Sequence, residues 1–267
     1  MTYMGKSVLI TGVSGGMGLA SASRFINEGY KVYGLDVKEP TQHLEGLTFI
    51  KTDLTKLEEV EFAFKQVNDQ LDVIINTAGI YDLNSLIEIS EEEFIRIFNI
   101  NVFAIYRVNK TFLPLLKEGG RIIMVSSELA PLDPLPFTGL YAITKSTIEK
   151  YAYSLRMELQ LLNYKVILIR PGAVDTGLIE ISTTKLDNFT NNTTHYQYNA
   201  QRFKNIVNSV ESKKVSPNKI ANLIYKASIK KRPKYVYTIN RNKGLLILNM
   251  LPKSWQHRII KYILKKN

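Results

Sequence analysis

Short apolar runs alternate with amphipathic stretches along most of the chain. Each run is rich in Val and Ile, as expected for strands of a sheet that is covered on both faces. The runs predict strands near residues 7–12, 31–36, 47–52, 71–76, 120–126, 165–170 and 234–239. Apolar positions at helical spacing predict helices near 17–29, 55–69, 90–117, 139–163 and 216–230. Strands that alternate with helices indicate βαβ units, so the pattern predicts an α/β fold with a parallel sheet.

The stretch 90–117 has a clear helix-start signal. Ser90 is a predicted N-cap, and Glu93 follows three residues later, at the spacing of a capping box. We therefore expect one long helix over 90–117.

Residues 173–212 interrupt the alternation with a long polar stretch, at a point where a compact domain usually has a short connection. Long insertions of this kind are often lids over a binding site. Six apolar residues at roughly helical spacing could anchor it, namely Leu178, Ile179, Ile181, Phe203, Ile206 and Val207. These anchors favour a lid over the alternative, a flexible surface excursion.

Composition narrows the chemistry. A chain of 267 residues can bury a large core, and we expect one α/β domain at 1–240 followed by a tail at 241–267. With no cysteine, the protein has no disulfide, thiolate metal ligand or cysteine nucleophile. Its three histidines, His43, His195 and His257, are too scattered to suggest a metal cluster, so no metal site is expected. Hydroxyls, lysines, carboxylates or a bound cofactor must do the chemistry.

The net charge of +11 is unevenly distributed. Residues 1–211 contain 20 Lys and Arg against 24 Asp and Glu, whereas residues 212–267 contain 15 against none, which gives −4 and +15. Such asymmetry often indicates a polyanionic partner, such as a membrane surface, an acidic protein or a nucleic acid. The alternative is a compositional bias toward Lys and Asn, and the sequence favours neither.

A glycine cluster follows the first predicted strand and opens the first predicted helix. Gly12 can adopt the positive φ of a tight turn, Gly16 allows the backbone to approach a pyrophosphate, and Gly18 allows the helix to pack closely on the strand. The free N–H groups at the helix start would face the anion. Asp36 ends the second strand, where a carboxylate can bind a ribose hydroxyl. The glycines alone would fit an ordinary turn, but this context favours a dinucleotide site.

The fifth predicted strand ends at Ser126 and Ser127, at the edge where open α/β sheets bind ligands. Farther on, Tyr141 and Lys145 are four residues apart on a predicted helix and share a face. The lysine ammonium and the charge of an oxidised nicotinamide would favour the phenolate of Tyr141, which could then exchange a proton with a substrate hydroxyl. Ser127 could donate a hydrogen bond to the developing alkoxide. Taken alone, a Tyr-x-x-x-Lys pair is more typical of an exposed helix face.

Together and in this order, the motifs resemble those of the short-chain dehydrogenase/reductase family over nearly the whole chain. The resemblance is carried by Thr11-Gly12-x-x-x-Gly16-x-Gly18, by Asn76-Thr77-Ala78-Gly79 with one substitution in the family's Asn-Ala-Gly motif, by Ser127 with Tyr141-x-x-x-Lys145, and by Arg170-Pro171-Gly172. It implies a Rossmann-type doubly wound sheet of seven strands in the order 3-2-1-4-5-6-7. It also implies that Asn101 completes a catalytic tetrad with Ser127, Tyr141 and Lys145 by holding a water in the proton relay.

The same resemblance implies which residues contact the nucleotide. Asp53 and Leu54 would flank the adenine, and Thr176 would contact the nicotinamide side. The full expected set is Gly12, Ser14, Gly16, Met17, Gly18, Asp36, Asp53, Leu54, Asn76, Ala78, Gly79, Tyr141, Lys145, Pro171, Gly172, Val174 and Thr176.

One spacing departs from the family pattern. The interval from Ser127 to Tyr141 is one residue longer than usual, which leaves Ser126 as an alternative to Ser127. The insertion falls in 128–140, a loop with three prolines that is predicted to form one stiff wall of the substrate pocket.

Asp36 also bears on the choice of nucleotide. Its carboxylate would accept a hydrogen bond from a free 2′-hydroxyl and repel a 2′-phosphate, and the glycine turn carries no Lys or Arg to neutralise that phosphate. Lys38, two residues on, counts against this preference without reversing it. The sequence therefore favours NAD(H) over NADP(H).

The tail at 241–267 combines basic and apolar residues with one tryptophan. Its apolar runs are too short to span a membrane. The tail can pack on the domain or on a partner subunit, or it can lie on an anionic membrane surface. It also resembles the tails of family members that act on lipidic alcohols, where the tail closes over the substrate.

These features predict an oxidoreductase that interconverts a secondary alcohol and a ketone with NAD(H). The apolar side chains of lid and tail favour a steroid-, retinoid- or lipid-like substrate. The alternative is a catalytically silent NAD(H)-binding sensor or scaffold, against which the intact catalytic set argues; a nucleic-acid binder would need a recognition motif that the chain lacks.

The family implies a homodimer or homotetramer. With no secretory signal, we expect a cytoplasmic protein, with membrane association through the tail as the alternative.

Overall fold

The computed structural model describes residues 5–176, 186–211 and 214–265. The strands are β1 Ser7–Thr11, β2 Lys31–Asp36, β3 Leu47–Lys51, β4 Leu71–Asn76, β5 Leu116–Val125, β6 Lys165–Pro171 and β7 Val236–Ile239. They form one seven-stranded sheet in the order β3-β2-β1-β4-β5-β6-β7, and every neighbouring pair is parallel. The predicted fold class and strand order are therefore confirmed.

Helices cover both faces of this sheet. Those with defined bounds are α1 Gly16–Ile26, α2 Leu57–Gln66, α3 Glu91–Phe98, α4 Ala104–Phe112, α5 Gly139–Leu159, α6 Gln197–Glu211, α7 Pro217–Ile229, α8 Lys243–Met250 and α9 Lys253–Leu264. Residues 186–192 are also helical. Helices α2, α4 and α5 contribute to the core on one face of the sheet, and α1 and α7 to the core on the other.

The alternation of side chains along each strand explains why the strands are apolar throughout. In β1, Leu9 belongs to the core on the side of α5, whereas Val8 and Ile10 belong to the core on the side of α1. Successive residues of a strand point to opposite faces, so a sheet covered by helices on both faces needs apolar residues at every position.

The predicted single helix over 90–117 is wrong in its second half. Ser90 is the N-cap, as predicted, and its Oγ accepts a hydrogen bond of 3.2 Å from the N–H of Glu93. A π-helical turn at Asn99–Phe103 then separates α3 from α4. Pro114 lies in a 3-10 turn at Leu113–Leu115, and β5 begins directly after it. Proline has no N–H to continue a helix, which explains the early end.

The predicted lid is described only in part, because residues 177–185 and 212 lie outside the described residues, and with them the expected anchors Leu178, Ile179 and Ile181. Its described part is largely helical, at 186–192 and in α6. A third apolar cluster joins this region to the tail and contains Leu83, Leu186, Phe189, Ala200, Phe203 and Leu264. Lid and tail thus pack on each other.

Candidate active site

The glycine turn after β1 has the geometry that the sequence predicts. Gly12 has a φ of +68°, and a Cβ added there would lie 2.7 Å from the Cα of Ala78. A Cβ on Gly18 would lie only 2.0 Å from the carbonyl oxygen of Gly12. Helix α1 begins at Gly16 without a side-chain cap. The first turn of α1 therefore offers backbone N–H groups to an anion, and the two glycines permit the close backbone approaches around it.

Asp36 lies at the carboxyl end of β2, beside the glycine turn. Its Oδ2 accepts a hydrogen bond of 3.0 Å from the N–H of Ser14, and its Oδ1 accepts one of 3.2 Å from the N–H of Lys38. Ser14 in turn donates from its Oγ to the carbonyl oxygen of Lys38 at 2.5 Å. A carboxylate has about four acceptor positions. Asp36 is therefore fixed in place and keeps capacity for a ribose hydroxyl.

A cleft of about 520 Å³ runs from the glycine turn past Asp36 to the loop after β3. Asp53 and Leu54, which are expected to flank the adenine, also line this cleft. Arg96 and Ile100 line the opposite side, and the sequence reasoning missed both. The fold brings α3 and the π-helical turn after it to the cleft, so no local sequence motif identifies Arg96 and Ile100 as lining residues.

The segment after β4 divides between cleft and core. Ala78 and Gly79 line the cleft. Asn76, in contrast, is 1% exposed and donates from its Nδ2 to Asn109 Oδ1 at 2.8 Å. Of this motif, the structure thus brings Ala78 and Gly79 to the predicted nucleotide site and turns the side chain of Asn76 toward the core.

Asn101 is fully buried within the π-helical turn between α3 and α4. Its Oδ1 accepts from the N–H of Ile80 at 2.8 Å, and its Nδ2 donates to the carbonyl oxygen of Ile80 at 3.0 Å and to Thr144 Oγ1 at 3.1 Å. Asn101 therefore ties the loop after β4 to α5. π-Helical turns occur frequently at functional sites.

Tyr141, Ser127 and Lys145 come together at the carboxyl edge of the sheet. The hydroxyl of Tyr141 shares a hydrogen bond with the side chain of Ser127. The Nζ of Lys145 lies 5.6 Å from the centre of the Tyr141 ring and donates to the carbonyl oxygen of Val125 at 3.3 Å. The ring of Tyr81 packs edge-on against Tyr141, with 4.7 Å between ring centres. The structure thus assembles the predicted phenol, hydroxyl and ammonium.

The two serines after β5 have different partners. Ser126 donates from its Oγ to Glu149 Oε1 at 2.9 Å, and Glu149 also forms a bidentate ion pair with Arg170. Ser127, in contrast, faces Tyr141. Of the two alternatives left by the sequence, Ser127 is the one whose hydroxyl lies at the tyrosine.

The protein groups around Tyr141 do not favour its phenolate. Burial raises the pKa of Tyr141 to about 12, and the hydrogen bond to Ser127 lowers it only in part. Burial likewise lowers the pKa of Lys145 to about 8, because the charged form loses its hydration. Burial therefore dominates the pKa of the phenol, and the expected effect of Lys145 together with an oxidised nicotinamide stays a prediction.

A mostly apolar pocket opens beside Tyr141. Its apolar lining residues include Ile80, Val125, Leu129, Leu135, Phe203, Ile206, Val207 and Leu245. Among its other lining residues are Pro171, Gly172, Val174 and Thr176. Met17, Thr77, Gly79 and Ile80 line both this pocket and the nucleotide cleft, so the two are continuous. The predicted lid and tail both contribute to the pocket.

Glu128 is a buried carboxyl group in the wall of this pocket, and the sequence reasoning missed it. Its Oε2 accepts a hydrogen bond of 2.6 Å from the N–H of Asn242, directly before α8. Burial raises the pKa of Glu128. Its position immediately after Ser127 was the available signal. Glu128 attaches the tail to the loop that carries the site.

The loop predicted as a pocket wall makes further contacts with the tail. The side-chain Oδ1 of Asn249 accepts from the N–H of Asp133 at 3.0 Å, and Lys253 pairs with the Asp133 carboxylate. At the other end of the tail, Asn199 donates from its Nδ2 to the carbonyl oxygen of Leu264 at 2.6 Å. The tail therefore spans from the substrate loop to the lid.

Comparisons with known proteins identify the family of the chain. The sequence profile described as short chain dehydrogenase matches residues 6–187. The probable short-chain type dehydrogenase/reductase VdlC of Helicobacter pylori is 30% identical over 265 residues, or 96% of each chain. The 3-ketodihydrosphingosine reductase of Bacteroides thetaiotaomicron is 28% identical over 233 residues, or 85% of each chain.

A solved structure of a short chain dehydrogenase family protein from Francisella tularensis is also similar. It has a TM-score of 0.74 at 25% identity, over 88% of this chain and 97% of its own. The family profile covers more than half of the chain, and the relative from Helicobacter pylori matches along nearly all of it. The chain therefore belongs to the short-chain dehydrogenase family of nicotinamide-dependent oxidoreductases.

Proposed function

We propose that the protein interconverts a secondary alcohol and a ketone on an apolar substrate and uses NAD(H). The observation that carries this proposal is that Ser127, Tyr141 and Lys145 all line the apolar pocket, at the point where it joins the cleft beside the glycine turn. A phenol and a hydroxyl at this junction can both reach one substrate oxygen. This arrangement suits proton transfer to or from that oxygen.

The described residues fit a dinucleotide. The uncapped start of α1 offers N–H groups to a pyrophosphate, and the absence of a Cβ at Gly12 and Gly18 permits the close backbone approaches that position this turn. Asp36 is held by backbone N–H groups at the position for a ribose. A bound nicotinamide would supply or accept the hydride.

The chain's own groups handle the oxygen and its proton. In oxidation, Tyr141 as phenolate takes the proton of the substrate hydroxyl, and in reduction the phenol returns it. Ser127 donates a hydrogen bond to the same oxygen while negative charge develops on it. Lys145 favours the phenolate by its charge, and Asn101 positions α5 relative to the loop after β4.

The preference for NAD(H) rests on Asp36. Its carboxylate would lie beside the 2′ position and repel a phosphate there. Its neighbour Lys38 contributes a backbone N–H to this carboxylate. We therefore propose that NAD(H) binds more tightly than NADP(H).

The apolar substrate class rests on the lining of the pocket. Aliphatic and aromatic side chains from β5, the loop after it, α6 and α8 dominate that lining. The Bacteroides relative is named for a reaction on a ketone of a sphingoid lipid. Both observations support a lipid-like alcohol or ketone over a small polar acid.

We also propose that the protein is a homodimer or homotetramer through α4 and α5. Large apolar side chains are exposed on these helices and at the end of α5, including Tyr106, Ile143, Tyr153, Met157 and Leu161. A second copy would bury them, as exposed apolar patches of this kind often mark interfaces. A molecular mass measured by light scattering at the monomer value would contradict this assembly.

The test is a turnover screen with steroid, retinoid, acyl and sugar alcohols and the corresponding ketones, with each of the two nucleotides. Tyr141→Phe should lower kcat by about a hundredfold or more, because it removes the proton donor, and should leave the Kd of NADH within about twofold. Tyr153→Phe, the same change on the exposed side of α5, is the matched control and should retain wild-type turnover.

Turnover of Tyr141→Phe within about threefold of the wild type would overturn the proton role. NADH binding without turnover of any alcohol or ketone would favour the sensor or scaffold alternative. A preference for NADP(H) would overturn the assignment to Asp36.

A further inference from the structure

The tail has an inner face that packs and an outer face that does not. In α9, Gln256, Ile260 and Leu264 are four residues apart and face the protein. Trp255 and Tyr262, seven residues apart, share a different face of the same helix and are 58% and 73% exposed. Packing on the lid therefore uses one side of this amphipathic helix and leaves another in solvent.

The preceding helix also exposes large apolar side chains. In α8, Ile247 and Met250 are three residues apart and are 62% and 85% exposed. We define the outer tail surface as the exposed apolar residues of both helices, Ile247, Met250, Trp255, Tyr262 and Ile263. Side chains of this size are costly to leave in water, and five within a tail of this length indicate a contact surface.

Positive charge accompanies this surface. The exposed basic residues of the described tail are Arg241, Lys243, Lys253, Arg258, Lys261 and Lys265. Lys253 pairs with Asp133 and Arg241 lies near the Glu128 carboxyl, whereas the sequence has no Asp or Glu after Glu211 to neutralise the remaining basic residues locally. The partner of the outer tail surface therefore has to offer negative charge and an apolar phase together.

An anionic bilayer offers both. Its headgroups attract Lys and Arg, and Trp and Tyr are the residues that concentrate at the boundary between headgroups and hydrocarbon. A second copy docked tail to tail would bring two basic surfaces together, which disfavours self-association here. A nucleic acid would satisfy the charges but would leave Ile247 and Met250 without an apolar partner.

We propose that the outer tail surface binds the face of an anionic membrane. The binding is peripheral, since no helix among the described residues is both long and apolar enough to cross a bilayer. Leu245, in the first turn of α8, lines the pocket beside Tyr141. If the proposed function holds, the tail would place the pocket close to a bilayer in which an apolar substrate dissolves, but the membrane contact itself does not depend on that activity.

The chain provides its own reporter for this contact, because Trp255 is its single tryptophan. The full-length protein is titrated with vesicles of mixed phosphatidylglycerol and phosphatidylcholine, and the emission of Trp255 is recorded. We expect a blue shift as the indole leaves water, and co-sedimentation of the protein with the vesicles. The protein should bind vesicles of phosphatidylcholine alone at least about tenfold more weakly. Added salt should weaken its binding to the anionic vesicles.

Two variants separate the apolar and charge contributions. Trp255→Ala with Tyr262→Ala should lower co-sedimentation about tenfold. Arg258→Gln with Lys261→Gln should lower it by about fivefold for each charge. The matched controls are Phe62→Ala, an equally exposed apolar residue on α2, and Lys51→Gln with Lys65→Gln, exposed lysines of the acidic part of the chain. The controls should bind as the wild type does.

Three outcomes would overturn the proposal. Failure of the wild type to bind anionic vesicles would exclude the membrane, whatever its activity. A blue shift that depends on protein concentration without lipid would assign the surface to a second copy. Unchanged vesicle binding by the Trp255 and Tyr262 double variant, with its circular dichroism and NADH affinity intact, would show that charge alone binds and that the apolar surface serves another partner.

Discussion

The nucleotide cleft and the lid with its tail are built in different ways. Around the cleft, the backbone sets the shape, since Gly12 and Gly18 lie where no side chain fits and α1 begins without a cap. Around the apolar pocket beside Tyr141, side chains from separate parts of the chain meet, for example Phe203 of α6 and Leu245 of α8. The cleft therefore depends on local chain geometry, and the pocket depends on packing between distant segments.

Charge divides the chain at a different boundary, which falls after the lid and before the last helix and strand of the core. The part up to residue 211 has a net charge of −4, and the part after it has +15. The tail is attached to the loop after β5 by polar contacts, such as the hydrogen bond from the backbone N–H of Asn242 to Glu128. A change in the cleft should therefore affect nucleotide binding and folding, whereas a change in the lid and tail should affect the pocket and leave the nucleotide site intact.

The largest effect is expected at Gly18. In Gly18→Ala, the new Cβ would lie 2.0 Å from the carbonyl oxygen of Gly12, so α1 must move away from β1. We expect a loss of about 3 kcal/mol in the free energy of unfolding, and NADH binding weakened by more than about tenfold. Denaturant titration and fluorescence titration with NADH measure the two effects.

Gly15→Ala is the control for this change. Its added Cβ would lie 3.3 Å from the same oxygen, and Gly15 already has the extended conformation that any residue can adopt. It should lose less than about 1 kcal/mol. Equal losses in both variants would show that the turn does not depend on the close approach at Gly18.

The second effect is expected at Leu264, which packs with Phe189 and Phe203 between tail and lid. Leu264→Ala should cost about 2 to 3 kcal/mol of unfolding free energy and raise KM for an apolar substrate, because a cavity opens beneath the lid. The Kd of NADH should stay within about twofold. The neighbouring Ile263→Ala removes a side chain that is 41% exposed and should cost less than about 1 kcal/mol. A matching loss of NADH affinity in Leu264→Ala would mean that the two regions are coupled.

The smallest effect is expected at Lys145, where cleft and pocket meet. Its pKa of about 8 is below the usual 10.5, so the folded protein releases this proton at a lower pH than the unfolded chain does. Stability therefore gains from this group as the pH rises from about 8 toward 10.5. Lys145→Met lacks this titratable group. Between pH 8 and 10, the free energy of unfolding of the wild type should therefore rise by about 2 kcal/mol relative to that of the variant.

Denaturant titrations of both proteins across this range measure that difference. Tyr141 acts in the opposite direction but only above pH 10, because its pKa is raised to about 12. Parallel stability curves between pH 8 and 10 would show that Lys145 is not buried as the structure has it.

The fold was predictable to a large extent because its signals are local. Apolar runs predicted the strands, and the family resemblance predicted their order. Gly12 has the positive φ that the turn requires. The spacing of Tyr141 and Lys145 on one helix was likewise sufficient to bring them together near Ser127.

Other features depended on neighbours that the sequence does not reveal. The π-helical turn that holds Asn101 is a one-residue change in hydrogen bonding within a helical pattern, and helical periodicity does not detect it. Glu128 and Arg96 carry no motif and reach the site through the packing of their segments. The extent of burial at Tyr141 was not predictable either, because it depends on segments that pack around the phenol only in the folded chain.

The sequence by itself determined the parallel α/β fold, the glycine turn and the placement of Tyr141 and Lys145 on one face of a helix. These depend on periodicity, backbone sterics and short spacings, which are properties of neighbouring residues. Only the tertiary structure decided that Ser127 rather than Ser126 faces Tyr141, that burial dominates the pKa of the phenol, and that the tail packs with one face and exposes another. Those outcomes depend on desolvation and on contacts between distant segments, which exist only once the chain has folded.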